Sequence, residues 1–173
     1  MRLRSPCLLF ALLVLAGCRG HPRDVVLITI DTLRADHVGA YGYPRPTSPA
    51  IDALAADGLL FERAVPTCPA TAPSIASLLT GLHRARHGAI RNGKAMSLDV
   101  QTLAEILQAH GYRTAARIAN PVLDERSGFA QGFDDFAFPA DLDRTSPVMF
   151  EGSPIVHEVD RLLSTSTTRP RFV

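Results

Sequence analysis

Seven consecutive residues, Asp24 to Ile30 (DVVLITI), limit what this chain can become more than any other stretch. After Asp24 the run is mostly β-branched and apolar, with Thr29 its one polar residue. It therefore reads as a strand buried on both faces of a parallel sheet, not as a half-exposed one. Such a strand needs covering helices, and the remaining pattern supplies them in alternation. Ser48 can cap a helix with Pro49 in its first turn, running through IDALAAD to Gly58. PSIASLLT is helical and stops at Gly81, and Ser97 to His110 carries a stripe of Val100, Leu103, Ile106 and Leu107 before Gly111. EGSPIVHEVDRLLSTS reads as one further helix. LLFERAV and YRTAARIA read as strands, with Asn120-Pro121 ending the second, and RPRFV begins another. The segment from the Gly-Phe pairs through DFAFPADLDRTSP reads as mostly irregular.

Strand and helix in alternation predict an α/β fold, a parallel-sheet sandwich. Three or so strands make an incomplete sheet with an open edge. Residues 24–173 are therefore expected to be the N-terminal part of a larger domain.

The first residues have a different character. Arg2 and Arg4 precede an apolar run from Cys7 to Leu15, followed by Ala16-Gly17-Cys18. A basic start, a short apolar core and small residues before a cleavage point describe an export signal over residues 1–17. Leu15-Ala16-Gly17-Cys18 also resembles the bacterial lipoprotein signal, in which the Cys is lipidated. That implies an exported protein anchored at a membrane surface through Cys18, with 18–23 as a short linker. Arg19 is not an inner-membrane retention signal of the Asp type, which points to an outer membrane or the periplasmic face. Of the three cysteines, Cys68 is then left without a partner. The net charge is +1 and the arginines are scattered, which argues against a nucleic-acid partner.

Asp31 stands just past the first strand, where open α/β sheets place their ligands. Thr71 lies at the mouth of the PSIASLLT helix, where the dipole and free N–H groups favour an anion. Two readings are open. Thr71 or Ser74 caps the helix while Asp31 closes a turn. Alternatively, the Thr71 hydroxyl is a nucleophile beside a metal held by Asp31 and Thr71, next to a phosphoryl or sulfuryl oxygen. Ca²⁺ or Mg²⁺ suits such hard oxygen donors, with Mn²⁺ or Zn²⁺ as alternatives. Ser74, His87 and Lys94 are candidate substrate contacts, although Lys94 sits in an Asn-Gly-Lys loop where solvation explains it equally well. His83 and His87 have i, i+4 spacing, but Gly81 should already have ended the helix. Phe129, Phe133, Phe136 and Phe138 read as packing.

Four ordered blocks, IDTLRADHVGAYGY, SPAIDALAADGLLFERAV, TAPSIASLLTGLHRARHGA and TLAEILQAHGYRTAA, resemble the N-terminal part of the sulfatase family, within the alkaline-phosphatase-like superfamily. The resemblance implies that Asp31 binds a divalent cation. It also implies that Thr71, two residues ahead of Pro73-Ser74, occupies the nucleophile position, and that further metal ligands follow beyond Val173. It implies a small-molecule, glycan or lipid ester as substrate. Thr71 stands where sulfatases carry the Cys or Ser matured to formylglycine, so no formylglycine is expected. Ile75 replaces an Arg that steadies the nucleophile, Thr32 replaces a second Asp, and Ile118-Ala119-Asn120 stands in place of a Gly-Lys-Trp-His segment. Relatives that move phosphoglycerol or phosphoethanolamine groups use a Thr nucleophile. The expected function is a metal-dependent hydrolase or transferase of sulfate or phosphate esters. The alternatives are a catalytically inactive surface lipoprotein with a binding or structural role, or a truncated fragment without function.

Overall fold

The computed structural model describes residues 23–138 and 153–173. The expected export signal, the Cys18 lipidation site and most of DFAFPADLDRTSP lie outside the described residues. Helix α1 is Pro49–Asp57, α2 is Thr71–Thr80, α3 is the single turn Arg84–His87 and α4 is Leu103–Ala109. Strand β1, Arg113–Arg117, is followed by β2, Asp135–Ala137, then α5, Ser153–Ser164, and β3, Arg171–Phe172. The strands form one parallel sheet in the order β2-β1-β3.

The run that reads as a buried strand joins this sheet only in part. Val25 makes a parallel bridge to Phe172. Backbone bonds run from Val25 N to Arg171 O at 2.7 Å, from Val173 N to Val25 O at 3.0 Å and from Leu27 N to Val173 O at 2.8 Å. Asp24 reinforces the junction, accepting from Arg171 N at 2.7 Å and from its Nε at 3.0 Å. The Arg171 guanidinium holds the Asp24 carboxyl below the usual carboxylate range. Beyond Leu27 the residues have no strand partner among the described residues, and Ile28 is 75% exposed.

Other expectations shift in register or fail. The LLFERAV segment is an exposed turn and not a strand; Leu59, Phe61 and Val65 all face solvent. The helix read from Ser97 begins only at Leu103, because Thr102 and Glu105 close a reciprocal capping box there. Ser97 instead donates its N–H to His87 O at 2.8 Å, and Asp99 N donates to its hydroxyl, so Val100 lies outside the helix. Ser48 precedes α1, yet its hydroxyl accepts from Gly39 N at 2.9 Å and meets Asp52, tying the 39–41 turn to α1. The irregular reading after Gly132 misses β2, where Ala115 to Arg117 pair with Asp135 to Ala137.

The core forms around α2. Its buried face is Ala72, Pro73, Ala76, Ser77 and Leu79, at i, i+4 and i+7 spacing, and Gly81 ends the helix at φ 68°. Ala72, Ala76 and Leu79 pack with Ala89, Met96, Leu123 and Phe129, while Ile75, Val100, Ile118, Val122 and Phe136 close the margin. Small side chains along α2 permit close approach of the chain on that side. Phe129 is buried, and Phe133 lies with its ring centroid 5.8 Å from Phe172 and 5.9 Å from Phe136, so these aromatics do pack. Helix α5 is fastened to the sheet by Arg117, whose buried guanidinium meets Asp135 and Glu158. Burial opposes the charge on Arg117, but the hydrogen bonds and charges of Asp135 and Glu158 outweigh it and raise its pKa. No helix among the described residues is long and apolar enough to cross a membrane.

Candidate active site

Parallel strands place their following residues at one sheet edge, and two such residues start the site. Asp31 follows the edge segment that pairs with β3, and Asn120 follows β1 by three positions. After Asp31 the backbone turns through Thr32 at φ 57°, the only non-glycine residue with positive φ among those described. A β-branched residue there is strained by about 1–2 kcal/mol. The turn directs Asp31 out of the sheet line, towards the first residue of α2.

That residue is Thr71. Its hydroxyl donates to Asp31 Oδ2 at 2.9 Å, joining positions 40 apart in sequence. The cap reading of Thr71 and Ser74 does not hold, because the helix N-cap is Ala70 and neither side chain caps α2. The cap comes from elsewhere: Asn92 Oδ1 accepts from Ala72 N at 2.9 Å. Pro73 brings no N–H, and Ser74 N donates to Ala70 O at 3.1 Å. The positive end of the helix dipole remains at Thr71, but of the free N–H groups expected there only that of Thr71 lacks an acceptor among the described residues. Asn92→Ala should cost about 1 kcal/mol of stability by removing this cap. A denaturant midpoint unchanged from the wild type would show that Ala72 finds another partner.

Asp31 Oδ2 accepts a second bond, from Asn120 Nδ2 at 2.8 Å. Asn92 and Asn120 are functional candidates that sequence reasoning missed as such. Asn120 was visible only as the replacement of a family segment, and Asn92 only as a loop residue beside Lys94. Ser74 sits three residues after Thr71, on the same helix face, and is half-buried. Lys94 is exposed in the turn that carries Asn92. Ile75 packs against the core and presents no polar group to Thr71.

His87 does not join this group. Its ring is fully buried, with Nε2 3.0 Å from Ser77 Oγ, and Nδ1 accepts from Ala89 N at 3.2 Å. Ser77 in turn accepts from Thr67 Oγ1 at 2.9 Å. With both nitrogens engaged inside the core, His87 has no polar atom left for a substrate. Its role is internal packing and hydrogen bonding. Burial, and then the charge of His83, push its pKa below the ordinary histidine value of 6.5. The unfolded chain therefore binds a proton that the folded one resists, and stability is fully present above about pH 6.5 and declines as the pH falls below it. Urea midpoints compared at pH 7.5 and pH 5 should show this loss, and His87→Gln, which retains a donor without titrating, should flatten it.

The donors at the edge suit a hard divalent cation in kind. Asp31 Oδ2 and Thr71 Oγ1 are neighbouring oxygens on an exposed surface, and Asp31 Oδ1 has no hydrogen-bond partner among the described residues. Two oxygens are too few for a coordination shell by themselves, and among the described residues no group of three or more His, Cys, Asp or Glu could hold a metal ion.

A family model described as Sulfatase matches residues 23–150. Arylsulfatase A of Bos taurus is 40% identical over 101 residues, covering 54% of this chain and 20% of that protein. The ulvan-active sulfatase of Formosa agariphila is 36% identical over 92 residues, covering 53% and 18%. The multifunctional alkaline phosphatase superfamily protein PehA of Trinickia caryophylli is 37% identical over 98 residues, covering 54% and 19%. The chain thus spans about a fifth of the length of these relatives. Among solved structures, a protein in complex with its substrate D-glucosamine-2-N,6-O-disulfate superposes with a TM-score of 0.70 at 21% identity, over 87% of this chain and 33% of that one. The phosphonate monoester hydrolase of Agrobacterium radiobacter gives 0.68 at 21%, over 88% and 40%. The C-terminal periplasmic domain of EcEptC from Escherichia coli, a Zn complex, gives 0.68 at 19%, over 88% and 43%. At such identities these likenesses establish the alkaline-phosphatase/sulfatase type of fold. With the family model matching most of the sequence, this chain belongs to the sulfatase family.

Proposed function

We propose that the domain to which this chain belongs hydrolyses or transfers sulfate or phosphate esters, with Thr71 as nucleophile and Asp31 as the carboxylate that orients it. One observation carries the reading: the Thr71 hydroxyl, at the positive end of α2, donates to Asp31 Oδ2. A hydroxyl in that position is aimed by its acceptor and stands where the dipole stabilises an approaching anion. Thr71 Oγ would form a bond to sulfur or phosphorus as the bond to the leaving alcohol oxygen breaks. The hydroxyl proton passes to Asp31 Oδ2, its existing acceptor, and the departing oxygen takes a proton from solvent. Water or an acceptor alcohol then displaces the Thr71 oxygen in line, so release needs no aldehyde. A divalent cation held by Asp31 and the Thr71 oxygen would supply positive charge for the ester oxygens. Ca²⁺ or Mg²⁺ is favoured for these donors, and Mn²⁺ or Zn²⁺ is the alternative.

The sulfated sugar bound by one structural neighbour and the phosphonate monoester named for another support a small-molecule or glycan ester as the substrate class. A second reading, a relative that binds such esters without turning them over, is favoured by Ile75, whose apolar side chain serves the core. Thr71→Ala in the full-length polypeptide separates the two, assayed with nitrophenyl sulfate and nitrophenyl phosphate. Turnover equal to that of the parent protein would remove Thr71 from catalysis.

A further inference from the structure

We infer that Asn120 is a positioning residue for this reaction, fixing the Asp31 carboxylate against Thr71; the inference rests on the reading of Thr71 as nucleophile. Asp31 is exposed, and its side chain hangs from a turn whose next residue is in the left-handed region. Left alone, such a carboxylate rotates freely about its side-chain torsions. Only two groups among the described residues hold it, Thr71 Oγ1 and Asn120 Nδ2, and both act on the same oxygen, Oδ2.

These two holds are not equivalent. Once the Thr71 oxygen is esterified it has no hydrogen to donate, and when Asp31 Oδ2 has released the proton it took up to solvent, that bond is lost until the intermediate is displaced. The Asn120 amide keeps its hydrogen throughout. Its own orientation is set independently: Asn120 Oδ1 accepts from Val122 N at 3.0 Å, a local turn just past β1. Turning the amide over would set its oxygen against the carboxylate and its NH₂ against an N–H, two repulsive contacts in place of two bonds. Asn120 thus stands three residues past β1, is locked by Val122, and delivers one N–H across 89 residues of sequence to Oδ2. It meets Asp31 and not the reacting atoms, so its contribution passes through Asp31.

Asn120→Asp supplies the decisive test, because it keeps an oxygen for Val122 while replacing the donor facing Asp31 with a carboxylate oxygen. In the full-length polypeptide, with nitrophenyl sulfate and nitrophenyl phosphate as probes, kcat should fall by roughly 100-fold with KM changed less than threefold, at an unchanged melting temperature. Asn120→Ala should fall by roughly tenfold or more, since it removes the donor without adding a repelling charge. If Asn120 serves only the local turn, Asn120→Asp will retain parental kcat while Asn120→Ala loses stability, and the inference is overturned. A rise in KM at constant kcat overturns it too, by making Asn120 a substrate contact. Parallel measurement of Thr71→Ala keeps the two ideas apart. If Thr71→Ala retains turnover, the nucleophile reading has failed. If it is inactive while Asn120→Asp is fully active, only the role of Asn120 has failed.

Discussion

Thr71→Ala should lower kcat/KM by roughly 10³-fold or more while leaving the fold intact. The side chain removed is half-buried at the first position of α2, and the hydrogen bond lost is one to an exposed carboxylate. Its structural cost is about 1 kcal/mol or less. The core face of α2, from Ala72 to Leu79, is unaffected, as is the Asn92 cap at Ala72. The two quantities are therefore well separated, and calorimetric melting run beside the rate measurement checks it. Thr71→Ser keeps a hydroxyl within reach of Asp31 and should retain a measurable fraction of activity. An inactive Ser variant beside an active Ala variant would contradict nucleophilic catalysis outright.

The largest stability effect is expected at Gly132→Ala, with a loss of roughly 3–5 kcal/mol. Gly132 has φ +84°, a conformation that costs an L side chain about 1–2 kcal/mol by itself. An added methyl would also overlap the backbone nitrogen of Glu105 and approach Ala104 C to 2.9 Å. Those atoms belong to the first turn of α4 and cannot swing aside as a side chain could. The neighbouring contacts would move with them: Thr102 donates to Gln131 O at 3.1 Å, and Gln131 Nε2 donates to Glu105 Oε2 at 2.9 Å. Gly93→Ala provides the internal control, since φ is +75° there but nothing lies within 4 Å of the added methyl. The difference between the two denaturation midpoints isolates the steric part. Equal midpoints would show that α4 shifts away at little cost.

Local chemistry accounts for the parts of the fold that were legible in the sequence. Pro49 and Gly81 mark where α1 begins and α2 stops because each restricts or permits one backbone conformation. The parallel sheet follows from strand and helix in alternation. Misreadings occur where distant contacts decide. The apolar stripe from Val100 suggested a helix from Ser97, but the Thr102–Glu105 box sets the start three residues after Val100. LLFERAV has strand composition without a strand beside it among the described residues, and β2 is a three-residue strand that exists because β1 lies next to it. Asp31 and Thr71 could be paired from the sequence because each sits at the mouth of an element. Asn92 and Asn120 could not, since their partners lie 20 and 89 residues away and asparagine in a loop has many ordinary uses.

Asp31 hangs from a segment fastened to the sheet by three backbone bonds and the Asp24–Arg171 pair, whereas Thr71 is built on the best-packed helix of the core. On the proposed role of Thr71, catalytic competence would then be hostage to the looser of the two halves. Thermal fraying that releases the amino-terminal ribbon would disarm the threonine while the hydrophobic centre is still intact, so loss of activity and loss of the fold would become separate events with separate onsets.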